Sequence, residues 1–166
     1  MASYTASPAL PPNRVPRVLT DVARARLLAY PVLTITGPRQ SGKTTLARLL
    51  APELPYVSLE DPDTRAFALE DPIAFLRQIT AGAIIDEAQR APELFSYLQG
   101  VVDADPRMGR FLVTGSSQFE LMASITQSLA GRASMLTLLP FSLGELQHVG
   151  RAPTTVDQLL YAGLFP

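Results

Sequence analysis

Short, nearly continuous apolar runs alternate along the chain with stretches whose apolar residues recur at helical spacing. That alternation is the pattern of an α/β domain built on a parallel sheet. The first run, 32-VLTIT-36, stands between Pro31 and Gly37 and predicts a buried strand. A helix is expected from about Lys43 to Leu50, ending before Pro52. A second strand is expected over 56-YVSL-59, and the segment 61–79 reads as two short helices, each opened by an Asp-Pro pair. The third strand, 83-AIID-86, runs directly into acidic residues. The next helix begins near Pro92 with Glu93 in its first turn, and Leu94, Phe95, Leu98, Val101 and Val102 form its apolar face. A fourth strand, 111-FLVT-114, leads through Gly115 to Ser117. Ser117 and Glu120 have capping-box spacing, and Leu121, Ile125 and Leu129 mark the buried face of the helix that follows. Gly131 ends that helix, 133-ASMLTLL-139 makes a fifth strand, and Ser142 with Glu145 repeats the capping box, with Phe141 and Leu146 at the staple positions. No internal repeat interrupts the order, and parallel neighbours imply right-handed crossovers.

Composition narrows the class. The 166 residues are 47% hydrophobic and 17% charged, enough for one domain with a substantial core and few charges to spare for its surface. A net charge of −1 argues against a globally basic nucleic-acid binder, so nucleic acid is only weakly indicated as a partner. There is no cysteine, hence no disulfide and no thiolate metal site. Residues 1–13, rich in Ala, Ser and Pro without an apolar signal core, read as a disordered leader ahead of a single domain over 14–166. No apolar run has membrane-spanning length, so no membrane partner is expected and the setting is read as cytoplasmic. The one histidine, His148, reads as a surface residue at a helix end.

The chemistry begins at 37-GPRQSGKTTL-46. Gly37, Gly42, Lys43 and Thr44 match G-x-x-x-x-G-K-[ST] directly after an apolar strand and at the head of a helix, the context that the phosphate-binding loop requires. Glycines let the backbone wrap, so that amide N–H groups from about Arg39 through Gln40 and Ser41 to Thr44 converge on phosphate oxygens, helped by the positive end of the helix. Pro38 and Thr45 are read as further nucleotide-binding positions of the loop. Lys43 is the only lysine in a chain with 14 basic residues. A compact ammonium fits beneath the β- and γ-phosphates where a forked guanidinium does not, and the Thr44 hydroxyl suits Mg²⁺. The expected ligands are therefore ATP and Mg²⁺.

The run 84-IIDEAQ-89 places Asp86 at the carboxyl end of a buried strand, beside Thr44 as a Mg²⁺ partner, and Glu87 as the residue that polarises the attacking water. Successive strand residues point to opposite sides, which gives the two carboxylates separate tasks. A guanine-reading Asn-Lys-x-Asp motif is excluded because no second lysine exists. What remains is the branch of ATPases with a catalytic glutamate, in which a polar residue at the tip of the fourth strand senses the γ-phosphate. Ser116 is the first choice and Thr114 the second, Ser117 being explained as an N-cap. Arg132, in 128-SLAGRASM-135, reads either as a helix-end dipole partner or as an arginine finger reaching a neighbouring subunit's nucleotide. The stretch 14-RVPRVLTDVARAR-26 carries four arginines and one aspartate. It is open to three readings: nucleotide contact by Arg14 or Arg17, a DNA-facing patch, or a solvated helix face.

Together, GPRQSGKTTL, IIDEAQ, FLVTGSS, SLAGR and LLPFSLGEL resemble the bacterial and archaeal AAA-type ATPases of the AAA_14 family, over residues 14 to 166. The resemblance implies a P-loop NTPase of RecA-like, AAA+ type with a five-stranded parallel sheet in the order 5-1-4-3-2. It implies Lys43 and Thr44 as the Walker A pair, Asp86 and Glu87 as the Walker B pair, Ser116 as the first sensor and Arg132 as the candidate finger. A homo-oligomer, or a partner domain acting in trans, goes with such a finger. Members of the family continue well beyond the position of Pro166. The lid and C-terminal domain are therefore expected to be absent and the chain to be a fragment or truncated frame, with Leu159, Leu160 and Phe165 left exposed. The leading expectation is an ATPase that drives or gates a partner domain, and the alternative is a nucleotide-gated switch or scaffold with little turnover.

Overall fold

The computed structural model describes residues 15–116 and 119–166, apart from the side chains of residues 119–122 and 124. The readings of the leader 1–13, Arg14, the Ser117–Glu120 capping box and Leu121 lie outside what is described. In chain order the elements are α1 (Leu19–Leu27), β1 (Val32–Gly37), α2 (Lys43–Leu50), β2 (Tyr56–Ser58), α3 (Pro62–Glu70), α4 (Pro72–Gln78) and β3 (Ala83–Asp86). A 3-10 turn (Ala88–Arg90) follows, then α5 (Leu94–Ala104), β4 (Phe111–Ser116), α6 (Phe119–Ser128), β5 (Ala133–Thr137), α7 (Leu143–His148) and α8 (Val156–Ala162).

The strands form one sheet in the order β2-β3-β4-β1-β5, and all four pairings are parallel. This is the expected order 5-1-4-3-2 read from the other edge. β1 lies between β4 and β5 and every one of its residues is buried, as a strand covered on both faces must be. Side chains alternate between two cores. Val32, Phe111, Val113 and Ile85 join one with Phe75, Phe95, Leu98, Ile125 and Leu129 of the helices on that face. Leu33, Ile35, Leu112 and Ile84 join the other with Ala23, Leu46 and Ala47. The period of two along each strand therefore divides the helices into two layers.

Local signals set most of the ends. Asp61 and Asp71 each cap a helix whose first residue is proline, their side chains accepting from the amides of Thr64 and Ala74 at 2.8 and 2.9 Å. The Ser142–Glu145 capping box forms, with both reciprocal bonds in place. His148 is exposed in the last turn of α7. Two expected strands are shorter than the apolar runs suggested. β2 stops at Ser58, and β5 stops at Thr137, although the Leu138 amide still reaches Thr36 O at 2.8 Å. Helix α5 starts at Leu94, so Glu93 flanks it instead of lying in its first turn. Helix α8 buries no residue; Leu160 and Phe165 are exposed as expected, while Leu159 is half-buried. Among the described residues no helix is long and apolar enough to cross a membrane.

Candidate functional site

At the carboxyl end of β1 the chain turns back tightly on itself. Gly37 has φ +147°, and a Cβ there would lie 2.1 Å from Leu138 O, so the turn admits only glycine. Gln40 follows at φ 60°, and Gly42, at φ +92°, is the N-cap of α2 without any side-chain cap on that helix. The first-turn amides of α2 are thus left open toward the loop, the arrangement that receives an anion. Pro38, Arg39 and Gln40 form the outer, more exposed side of the bend, and Ser41 is buried with its hydroxyl unpaired.

Lys43 is 5% exposed and its Nζ donates to Pro38 O at 2.7 Å. Burial pulls its pKa below the ordinary lysine value, Glu87 and Asp86 push the other way, and Arg39 adds to the lowering. The ammonium is therefore poorly solvated and directed into the loop, where phosphate oxygens would supply what water does not. Thr44 Oγ1 donates to both oxygens of Asp86, at 3.1 and 3.0 Å. Thr114, buried on β4, donates to Asp86 Oδ1. Tyr56 donates to Asp86 Oδ2 at 2.6 Å, and burial followed by this bond pushes the phenol up to about 12. The carboxylate is thus surrounded by hydroxyl donors.

Glu87 is not part of β3, which ends at Asp86. It takes the left-handed conformation, with φ 55° and ψ 41°. The strand alternation inferred from sequence therefore does not extend to Glu87, which leaves β3 through this backbone turn. Gln89 Nε2 donates to Glu87 Oε2, while Gln89 Oε1 accepts from the Ser116 amide at 3.2 Å. Ser116 is half-buried at the tip of β4, so the candidate sensor and the candidate base share one glutamine. Thr114, the second choice as sensor, is committed to Asp86.

Arg17 is the residue that spacing could not place. Its Nη1 donates to Ser41 O at 2.8 Å, its Nε to Glu145 Oε1 at 3.1 Å, and its Nη2 to the carbonyls of Leu139 and Pro140. Its guanidinium lies 4.7 Å over the Phe141 ring. With 10% of its side chain exposed, it clamps the phosphate-loop candidate to the chain after β5 and to α7, whereas Arg24 and Arg26 on α1 are exposed, as the solvated helix face considered for this stretch expects. The backbone amide of Val18 also donates to Glu145, at 2.8 Å. Beside the clamp lies an apolar groove of about 630 Å³, lined among others by Val15, Leu46, Leu49, Phe141 and Leu164. A polar cavity of about 320 Å³ adjoins it, lined by Gln40, Gly42, Lys43, Thr44, Thr45, Glu87 and Pro166. Gly42, Thr45 and Pro166 border both.

One candidate lies far from this cluster. Arg132 bonds through its carbonyl to the amide of Val32, at the amino end of β1, and its guanidinium pairs with Asp103 and with Ala130 O. The length of β1 separates it from the loop, on the order of 16 Å at about 3.3 Å per residue. The structure therefore brings together Gly37, Gly42, Lys43, Thr44, Asp86, Glu87 and Ser116, and leaves Arg132 apart. Sequence reasoning missed Tyr56, Gln89 and the Arg17–Glu145 pair. The only hint of any of them was the arginine-rich stretch before β1.

Comparison with known proteins places the chain in a family. The AAA_14 family model, described as an AAA domain, matches residues 29–147. An uncharacterized protein of Mycobacterium tuberculosis and one of Mycobacterium bovis are each 40% identical over 144 residues, spanning 86% of this chain and 32% of their own length. The chain thus spans about a third of these curated relatives. Among solved structures, one of katanin, described for its self-assembly, superposes with a TM-score of 0.54 at 17% identity, over 79% of this chain and 53% of that one. A signal-transduction ATPase with numerous domains and a tetratricopeptide repeat sensor, from Pyrococcus horikoshii, gives a TM-score of 0.54 at 18% identity, over 90% and 27%. At such identities the two structures speak to the fold alone. It is the family match, over most of the chain, that makes this protein a member of the AAA_14 family of AAA domains, a nucleotide-binding module of ATPase type.

Proposed function

We propose that the module binds ATP with Mg²⁺ and hydrolyses it, the core running over residues 14–166. The observation that carries this reading is the meeting of three groups at the end of the glycine turn: buried Lys43, and the Thr44 hydroxyl joined to Asp86 at 3.0 Å. The donor set suits Mg²⁺. Among the described residues no group of three His, Cys, Asp or Glu side chains could hold a metal ion, whereas one carboxylate with one hydroxyl leaves positions for phosphate oxygens and water. Thr44 and Asp86 would hold the ion, which when bound neutralises phosphate charge.

The remaining work belongs to the chain. Backbone N–H groups from about Arg39 to Thr44 hold the phosphates, and Lys43 exchanges its bond to Pro38 O for the β- and γ-oxygens. The apolar groove beside Gly42 takes the adenine. Glu87 accepts a proton from water as the water oxygen attacks the γ-phosphorus, releasing ADP and inorganic phosphate. Ser116 senses the γ-phosphate and reports to Glu87 through Gln89. In a longer protein the resulting shape change would act on a partner domain or on another copy of the chain, with Arg132 as the finger.

A switch with slow turnover is favoured by one feature: the Glu87 carboxylate is already engaged by Gln89. Phosphate release separates the readings. Glu87→Gln should keep ATP binding and lose about 10²–10⁴-fold in turnover, and Lys43→Ala should lose binding. If Glu87→Gln turns over as fast as the wild type, the assigned base is wrong. If the wild type binds ATP without turnover and Gln89→Ala restores it, the switch reading replaces the first.

A further inference from the structure

We propose that Tyr56 is a positioning residue for the cation site: its hydroxyl fixes the Asp86 carboxylate in the orientation that receives the metal ion. This rests on the reading of Thr44 and Asp86 as cation ligands. Asp86 is 5% exposed and accepts from three hydroxyls. Thr44 bonds to both of its oxygens, Thr114 to Oδ1 and Tyr56 to Oδ2 at 2.6 Å. Only Thr44 changes its task when a cation arrives, since its oxygen is itself a ligand. That leaves Thr114 on one carboxylate oxygen and Tyr56 on the other. Two donors on the two oxygens set the rotation of the carboxylate about its Cβ–Cγ bond, and one donor alone would not.

The tyrosine is itself held. The Arg48 guanidinium lies 3.8 Å over its ring centroid. Arg48 follows Thr44 by four residues on α2, so both side chains leave the same face of that helix one turn apart. The helix that opens at the phosphate loop thus carries a cation ligand and also the brace of the residue that orients the other ligand. A shift of α2 would move both together.

Tyr56→Phe is the test, because it keeps the ring under Arg48 and removes only the hydroxyl. ATP affinity is measured by calorimetry with Mg²⁺ and again with EDTA, for the wild type and the variant, with thermal melting to confirm folding. In EDTA the two should agree within about two-fold, while the gain in affinity on adding Mg²⁺ should shrink about 10-fold in the variant. Arg48→Met, which frees the ring, should shrink it in the same direction by less. An undiminished Mg²⁺ gain in Tyr56→Phe overturns the proposal, and so does an equal loss with and without Mg²⁺, which would mark a merely structural hydroxyl. If the wild type gains nothing from Mg²⁺, the assignment of Thr44 and Asp86 as ligands fails first and the role of Tyr56 falls with it.

Discussion

Gly37 and Gly42 both have positive φ, yet a methyl group would meet different surroundings at each. At Gly37 a Cβ would be driven to 2.1 Å from Leu138 O, a backbone atom held in place because the Leu138 amide bonds to Thr36. At Gly42 the nearest atoms are Arg17 Nη1 at 3.6 Å and Pro166 Cγ at 3.7 Å, ordinary contacts. Gly42→Ala should therefore cost only the left-handed strain, about 1–2 kcal/mol. Gly37→Ala should cost about 3 kcal/mol or more, since β1 and β5 must part. Urea denaturation of the two variants checks the ranking, and equal losses would mean that the crowding at Leu138 relaxes freely. The glycines were legible from spacing because their roles are local. Tyr56 and Arg17 were not: Tyr56 meets Asp86 30 residues on and Arg17 meets Glu145 128 residues on. Separations of that size carry no periodic trace, and only the folded sheet brings the partners together.

Helix α7 shows how a short element can hold a distant loop. Its six residues are too few to be stable alone, so the capping box and the Arg17 pair must supply much of its order. Glu145 accepts from the amides of Ser142 and Val18 and from Arg17. Burial is the largest single influence and raises its pKa, but the two backbone bonds and Arg17 together outweigh it, and the carboxyl ends below the ordinary glutamate value. The sign follows from linkage: a depressed folded value gives stability that is complete above the unfolded glutamate pKa, about 4.3, and is lost as pH falls through the lower folded value. Glu145→Gln keeps the shape and removes the charge. Wild-type stability should drop more steeply than the variant's below about pH 4, and at pH 7 the variant should be weaker by about 2 kcal/mol. Parallel pH profiles would show that Glu145 is not the titrating group. At this scale the sequence was most informative where a signal is confined to one turn. The Asp-Pro starts of α3 and α4, the α7 box and the bounds of α2 were all readable. The 3-10 turn after Asp86 and helix α8 were not, because a left-handed glutamate and an element without a buried face leave no hydrophobic period.

At the scale of the whole molecule, the parallel sheet separates two chemistries. Its carboxyl end carries the phosphate-loop candidate and both carboxylates, and its amino end carries Arg132 paired with Asp103. An arginine held there cannot serve the nucleotide of its own chain, so any catalytic action must be on a second copy. The pairing lowers the Asp103 pKa, chiefly through the hydrogen bond from Arg132, and raises that of Arg132 for the same reason. Both groups face solvent, so salt screens the pair and Arg132 can be released when a better anion is presented. Two variants then diverge. As a finger, Arg132→Ala should bind ATP normally and lose about 10³-fold in turnover, with wild-type specific activity rising with protein concentration. Asp103→Asn should turn over as fast as the wild type or faster at each concentration, since it frees the finger. If Arg132 serves only to close the end of α6 against α5, both variants should instead lower the melting temperature alike, and specific activity should not depend on concentration. Phosphate release from dilute to concentrated protein, with light scattering on the same samples, decides between them. A concentration-independent rate in the wild type would remove Arg132 from the catalytic set and leave it as a tie between two helix ends.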